Sequence, residues 1–275
     1  MTKTALYSLD GKSKGDIELP SIFETPYRPE VIHKAYVNVL SHSFQKQGRY
    51  PAAGEMVSAE SRNTGLGIAR LARARGEGFQ RAGQAASVAG VRHGRVAHPP
   101  ESWKIIYKKI NKKENRLALC SAVAATGVKE LIIQRGHKVP ESLKLPVVIS
   151  NEIESLSKTK DLEKVLRALG LESDYQRAQK SHKVHSGTAR RRGRTARIGK
   201  SALIVVGENA KLASLSGSIA GVEVKSANEI SVLDLAPGSK PIRLTLYSES
   251  AMNQLGKMST RANRIMEIST KGISR

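Results

Sequence analysis

Eight arginines stand among residues 48–98: Arg49, Arg62, Arg70, Arg73, Arg75, Arg81, Arg92 and Arg95. The same stretch holds nine glycines, no lysine and only three acids, Glu55, Glu60 and Glu77. A guanidinium stays charged at any physiological pH, grips phosphate with a two-pronged fork and stacks on flat bases. Glycine lets a backbone pass close to a groove. The pair is suited to phosphate binding. A solvated linker is the alternative, but linkers are usually rich in Ser, Pro, Glu or Lys, whereas this stretch uses arginine to the exclusion of lysine. A second island runs from residue 177 to residue 200, with nine Lys or Arg and no acid. It contains Arg190, Arg191, Arg192, Arg194, Arg197 and Lys200. The two islands carry fourteen of the chain's formal net charge of +22.

Other chemistries find no support in the residue pattern. Gly199-Lys200-Ser201 looks like the end of a phosphate-binding P-loop, but the required earlier glycine is missing, since Arg194 stands there. The residues that follow also read as a strand where that loop needs a helix. Gly65-Leu66-Gly67 and Gly76-Glu77-Gly78 lack the third glycine of a dinucleotide fingerprint. His182 and His185 are three apart, with no Cys or carboxylate cluster to complete a metal site. No Ser, Cys or His stands in a nucleophile motif. The expectation is a binding protein without catalytic residues, metal or cofactor.

So large a positive charge needs an anionic partner, either nucleic acid or an anionic membrane. No apolar run is long enough for a bilayer-spanning helix, and no strongly amphipathic helix accompanies the charge. Met1-Thr2-Lys3-Thr4 lacks the apolar stretch of a leader. Cys120 is alone, which excludes an internal disulfide and fits the reducing cytoplasm. Nucleic acid is the favoured partner. A free RNA-binding regulator and an NTP-using RNA enzyme are the rival classes.

These residues need a scaffold. Hydrophobic residues are 39% of the chain and aromatic residues 4%, enough for a core that is mostly aliphatic. Residues 1–28 read as short strands with turns at Asp10-Gly11 and Gly15. Pro29 opens a helix expected to reach Gln47, with Phe44 on its apolar face. Residues 48–98 show no sustained period and are expected to form an extended loop. Fully stretched and doubled back, such a loop reaches about 80 Å at most. Residues 112–126 predict a helix with Leu117, Leu119, Ala122 and Val123 inward, capped by Gly127. Val147–Ile149 predicts a buried strand, and 158–169 a helix closed by Gly170. Ala202–Val206 predicts a strand covered on both faces; Val222–Val224 and Val232–Leu235 look alike. Ser226 and Glu229 have the spacing of a capping box. Strands alternating with helices predict an α/β fold with a mainly parallel sheet flanked by helices. The expected division is a globular body from 1–47 and 99–275, with 48–98 as an arginine/glycine-rich extended loop.

Four motifs in order resemble the family of large-subunit ribosomal protein four, in its archaeal and eukaryotic-type branch. They are Ile17-Glu18-Leu19-Pro20 with Phe23 and Pro26; Gly65, Gly67, Ala69, Arg70 and Arg73 with the run Gly94 to Pro100; Lys109 to Thr126; and Asp234 to Ala251. Leu66 and Ala72 stand where relatives often carry Arg and Pro. The resemblance implies a body bound to large-subunit ribosomal RNA. It also implies a loop that penetrates the RNA and lines the nascent-peptide exit tunnel. The implied tip is Gly67, Ile68, Ala69, Arg70, Leu71, Ala72, Arg73, Ala74 and Arg75. Arg49, Arg62, Arg81, Arg92, Arg95 and His98 would hold the loop's legs to RNA. Lys109, Lys112, Lys113 and Arg116 would do so from the basic helix, and Arg190, Arg191, Arg192, Arg194, Arg197 and Lys200 from the second island. Neighbouring ribosomal proteins and, transiently, the nascent chain are the other implied partners.

Overall fold

The computed structural model describes residues 3–208, 210–240 and 242–257. Met1 and Thr2 of the leader reading, Pro241 and the end of the expected body, 258–275, lie outside the described residues. Along the chain come β1 (Lys3–Tyr7), β2 (Ser13–Glu18), α1 (Pro29–Ser41), β3 (Ala59–Ser61), β4 (Ala72–Ala74), α2 (Lys112–Ala125) and α3 (Lys129–Gln134). After these come β5 (Val147–Ile149), α4 (Thr159–Ala168), α5 (Glu172–Lys180), β6 (Lys183–Val184), α6 (Gly187–Arg191), β7 (Ala196–Arg197), β8 (Leu203–Val206), β9 (Glu223–Ser226), α7 (Val232–Leu235) and β10 (Thr245–Ser248). They fall into two compact units: residues up to 40 together with those from 108 onward, and residues 41–107.

In the first unit six strands form one sheet in the order β2-β1-β5-β10-β8-β9. All neighbours are parallel except β2, which folds back antiparallel onto β1. β5, β10 and β8 are buried along their whole length. Strands covered on both faces are apolar without a break, which is why two of these were readable in the sequence. Successive residues point to opposite faces. Val148, Leu203, Val205 and Tyr247 pack with Ile32 of α1, Val123 of α2 and Leu235 of α7. Val147, Ile149, Ile204, Val206 and Leu246 pack with Leu162 and Leu166 of α4 and Tyr175 of α5. The body is thus an α/β fold, a mixed and mostly parallel sheet between helical layers.

Helix ends follow local chemistry. Gly170, with φ of 73°, closes α4: its N–H donates to Arg167 O and that of Leu171 to Leu166 O, both at 2.9 Å. This paired arrangement satisfies carbonyls that a helix end leaves open. Ser231 and Asp234 cap α7 reciprocally.

That cap corrects one expectation. Val232–Leu235 is a helical turn, not a strand; a four-residue apolar run has no period of its own, and the cap decides its state. Ser226 ends β9 instead of capping a helix. α1 stops at Ser41, short of Gln47, because the apolar stripe ends at Leu40; residues 42–47 are exposed and Phe44 is 55% exposed. Leu117 and Leu119 are half-buried, whereas the small residues Ala118 and Cys120 to Ala125 form the buried face of α2. Small side chains let a helix sit close to its neighbours. Gly15 lies within β2, opposite Leu6, and is not a turn. β10, a central strand, went unread because Thr245 and Ser248 make it look polar.

Residues 41–107 differ from the structureless loop expected for 48–98. β3 and β4 pair antiparallel, Ala59 opposite Ala74. A third extended stretch joins them: Ala74 N–H donates to Gln84 O at 2.9 Å and Ala86 N–H to Ala72 O at 3.0 Å. Among the described residues of this unit, Ala74 and Ala86 are the only fully buried hydrophobic ones.

Candidate nucleic-acid interface

The arginines of the 41–107 unit divide by their partners. Arg75 pairs with Glu60, and Arg95 lies 3.8 Å from Glu55. Arg49 donates to Ala53 O at 3.0 Å and Arg73 to Gly83 O at 3.0 Å, so both brace their own backbone. Arg62, Arg70 and Arg92 are exposed and form no ion pair among the described residues, and Arg81 reaches only the Arg92 carbonyl at 3.5 Å. His98 is exposed as well. The expected tip is split between two settings. Gly67 to Arg70 lie in the exposed connection between β3 and β4, where every residue from 61 to 70 is exposed. Leu71 is half-buried, Ala72 to Ala74 form β4 itself, and Arg75 follows it.

Apolar exposure sets this unit apart. Of the sixteen large hydrophobic side chains exposed among the described residues, eleven belong to it, from Phe44 to Tyr107. Five are aromatic: Phe44, Tyr50, Phe79, Trp103 and Tyr107. Their concentration in this unit contrasts with the body, whose apolar residues make up nearly all of the buried core.

The second island is a small built element. β6 and β7 pair antiparallel and carry α6 between them. Gly193, at φ 80°, ends α6, its N–H donating to Arg190 O and that of Arg194 to Ala189 O, at 3.1 and 3.0 Å. The string Arg190-Arg191-Arg192-Gly193-Arg194 is therefore a helix end. Arg190, Arg191, Arg192, Arg194 and Arg197 are exposed and unpaired among the described residues. Lys200 differs, being paired with Glu223.

Lys109, Lys112, Lys113 and Arg116 are exposed around the start of α2. Within the helix Arg116 follows Lys112 by four residues and Lys113 by three, so these three share a side, and Lys109 precedes the helix. Cations at a helix N-terminus oppose its dipole at a cost of about 0.3–1 kcal/mol each. A stable fold gains nothing from them there, whereas an anionic partner does. Glu114, paired with Lys34 at 2.8 Å, is the one acid of that first turn.

Sequence reasoning missed a buried polar network in the body. Asp174 accepts from His137 Nδ1 at 3.1 Å, Ser201 Oγ at 2.6 Å, the Lys138 N–H at 3.1 Å and Arg177 Nε at 3.1 Å. Burial resists ionisation of Asp174, but the bonds from His137, Ser201 and Lys138 outweigh it and hold its pKa at about 2. Arg243 is wholly buried; it donates to the carbonyls of Ser201, Ala202 and Gly221 and pairs with Glu223. Burial opposes ionisation of Glu223 too, and Lys200 and Arg243 reverse the effect, lowering its pKa. No local spacing announces these contacts, which join residues up to 42 apart. The P-loop lookalike is explained here as well: Ser201 and Lys200 serve the network.

Residues 17–258 match the family model described as the ribosomal protein L4/L1 family. The large ribosomal subunit protein uL4 of Methanococcus vannielii is 43% identical over 251 residues, 91% of this chain and 97% of the relative. That of Methanosphaera stadtmanae is 42% identical over 258 residues, 94% and 98% of the two chains. That of Pyrobaculum aerophilum is 41% identical over 254 residues, 92% and 89%.

Proposed function

The chain belongs to the ribosomal protein L4/L1 family, and from that premise we infer that it is a structural constituent of the large ribosomal subunit, in the cytoplasm. Its work is to bind large-subunit ribosomal RNA by charge neutralisation and shape, with no catalytic step. Arginine and lysine take the place of counterions between packed RNA helices, and contacts to phosphates and 2′-hydroxyls outweigh base reading.

The carrying observation is the concentration in residues 41–107 of exposed apolar side chains and of arginines that form no ion pair among the described residues. RNA satisfies both, since bases stack on Tyr50, Phe79 and Trp103 while phosphates take Arg62, Arg70, Arg81 and Arg92. In this reading the legs are held by Arg49, Arg95 and His98 too. The connection around Gly67 to Arg75 faces the exit tunnel and meets the nascent chain. Lys109, Lys112, Lys113 and Arg116 form a second contact with the RNA, and α6 with its flanking arginines a third. Neighbouring ribosomal proteins complete the surroundings.

The test is site-specific crosslinking from residues 62–81 in intact large subunits carrying stalled nascent chains. Adducts to nascent peptide and to RNA of the tunnel wall are expected from positions 67–71. Adducts to solvent-side protein alone would overturn the tunnel assignment.

A further inference from the structure

One end of the sheet departs from the charge of the chain. Where the parallel strands end, Glu152 and Glu154 follow β5, Glu208 follows β8, Glu229 follows β9 and Glu249 follows β10, in a chain of net charge +22. Beside two of these acids lies a cavity of about 520 Å³, whose walls include Gly207, Glu208, Ala213, Val224, Ser226 and Glu229. Glu208 and Glu229 are exposed and form no ion pair among the described residues; Asn228 Nδ2 donates to Glu208. Lys225 also borders the cavity, but its side chain alternates with Val224 and lies on the α7 side of the sheet, with Leu233 and Asp234. The chain leaves β8 toward the helical turn Lys211–Leu215, whose Leu212 packs with Ile204. It leaves β9 toward α7, whose Leu235 packs with Leu203 on the opposite face. Such a divergence opens a crevice beyond the carboxyl ends of parallel strands, the usual place for a ligand in an open α/β sheet.

The same cavity borders an open sheet edge. β9 is the last strand on its side. Glu223 N–H donates to Ala202 O at 3.3 Å and Ala227 N–H to Val206 O at 2.9 Å, so the backbone groups of Val222, Val224 and Ser226 turn away from β8. Most of these outward groups are engaged. Val222 is bonded to Ile219 and Gly217, Val224 N–H donates to Ser216 Oγ, and Ser226 O accepts from Glu229 N–H. Two are left: the Val224 carbonyl and the Ser226 N–H have no partner among the described residues. They are the acceptor and the donor that one residue of an added parallel strand occupies. Val224 is only 4% exposed, and a buried carbonyl without a partner is uncommon in a finished fold.

We propose that this edge and cavity dock an extended, lysine- or arginine-bearing segment of another protein. One residue of the segment donates its N–H to Val224 O and accepts from Ser226 N–H, adding a seventh strand to the six of the sheet. A neighbouring cationic side chain enters the cavity and meets Glu208 and Glu229. RNA is the wrong partner here, because these carboxylates repel phosphate. A second copy related by a two-fold axis would pair the edges antiparallel. That ladder needs the Val224 N–H and the Ser226 carbonyl, which Ser216 and Glu229 already hold. The surface rests on the ribosomal reading only in making the partner a neighbouring ribosomal protein.

The experiment uses the full chain and follows its backbone N–H signals by 15N NMR during titration with a capped peptide alternating Lys and Val. The expected result is a saturable shift of the Ser226 signal. Methylating the peptide's backbone nitrogens removes the donor to Val224 O and should weaken binding about tenfold. Glu208→Gln with Glu229→Gln should weaken it about fivefold, the scale of two exposed ion pairs. Glu77→Gln with Glu141→Gln, exposed acids elsewhere, should leave it within about twofold. A Ser226 signal that does not move, equal binding of a peptide alternating Glu and Val, indifference to methylation, or equal weakening by both pairs of substitutions would overturn the site. So would a short RNA duplex that shifts Ser226 at lower concentration than the peptide. None of these outcomes touches the crosslinks expected from residues 62–81, so the two readings fail separately.

Discussion

The sheet body and the 41–107 unit come from one chain and spend their apolar residues in opposite ways. In the body, Val147 to Ile149, Leu203 to Val206 and Leu246 alternate between two helical layers and are buried. In the smaller unit, two alanines are buried while eleven large hydrophobic side chains are exposed. The body also neutralises its interior charges, as Asp174 and Arg243 show, whereas the unit leaves Arg62, Arg70 and Arg92 unpaired among the described residues. The body hides its apolar groups and pairs the charges it buries, while its exposed arginines on α6 stay open like those of the smaller unit. The smaller unit leaves both open, as the proposed contact with a large anionic, base-bearing partner requires.

The comparison breaks if the two regions respond alike to truncation. Ile204→Ala, in the middle of β8, should cost about 2–5 kcal/mol, the range for emptying a buried aliphatic site. Leu66→Ala, in the exposed connection, should stay within about 0.5 kcal/mol. Denaturant midpoints of the free protein measure both, and equal losses would mean that the smaller unit has a core of its own.

Acid sharpens the same contrast. The pKa of Asp174 is held at about 2, below its ordinary 3.8. The ionised group therefore stabilises the fold above 3.8, and that contribution is lost as the pH falls from 3.8 towards 2. About 2 kcal/mol should disappear over this window. Asp174→Ala should flatten that part of the pH–stability curve and lower stability at neutral pH by a similar amount. An unchanged acid limb in the variant would show that other carboxylates govern it.

The smallest stability effect should belong to the exposed arginines. Replacing Arg190, Arg191 and Arg192 with Ala should alter folding by less than about 0.5 kcal/mol. The log–log salt slope of RNA affinity should nevertheless become shallower by roughly 0.7–0.9 for each phosphate that is no longer neutralised. A large drop in stability with an unchanged slope would make α6 a structural element.

The legible parts of the fold were those whose reason is local. Leu203 to Val206 and Val147 to Ile149 are covered on both faces and so carry no polar interruption. Gly170 marks a helix end because the left-handed turn there suits glycine. Where burial of polar residues is settled by distant partners, reading failed. Ser248 is buried in a central strand with its Oγ donating to Glu154, a residue far away along the chain. For 48–98 the missing period predicts an extended loop without regular structure, and the short pairing of β3 with β4 departs from it because that pairing rests on backbone bonds that side-chain patterns do not encode.

The sequence by itself determined the chemistry of the partner. Charge sign, the choice of arginine over lysine and the order of four motifs are properties of the string, and together they point to ribosomal RNA. Only the tertiary structure decided which charges are available. It set Arg62 and Arg190 in the open, tied Arg73 and Lys200 to neighbours, and gathered Glu208 and Glu229 around one cavity. Residues 208 and 229 meet because parallel strands and their crossovers carry distant segments to one end of a sheet. No spacing along the chain records that convergence.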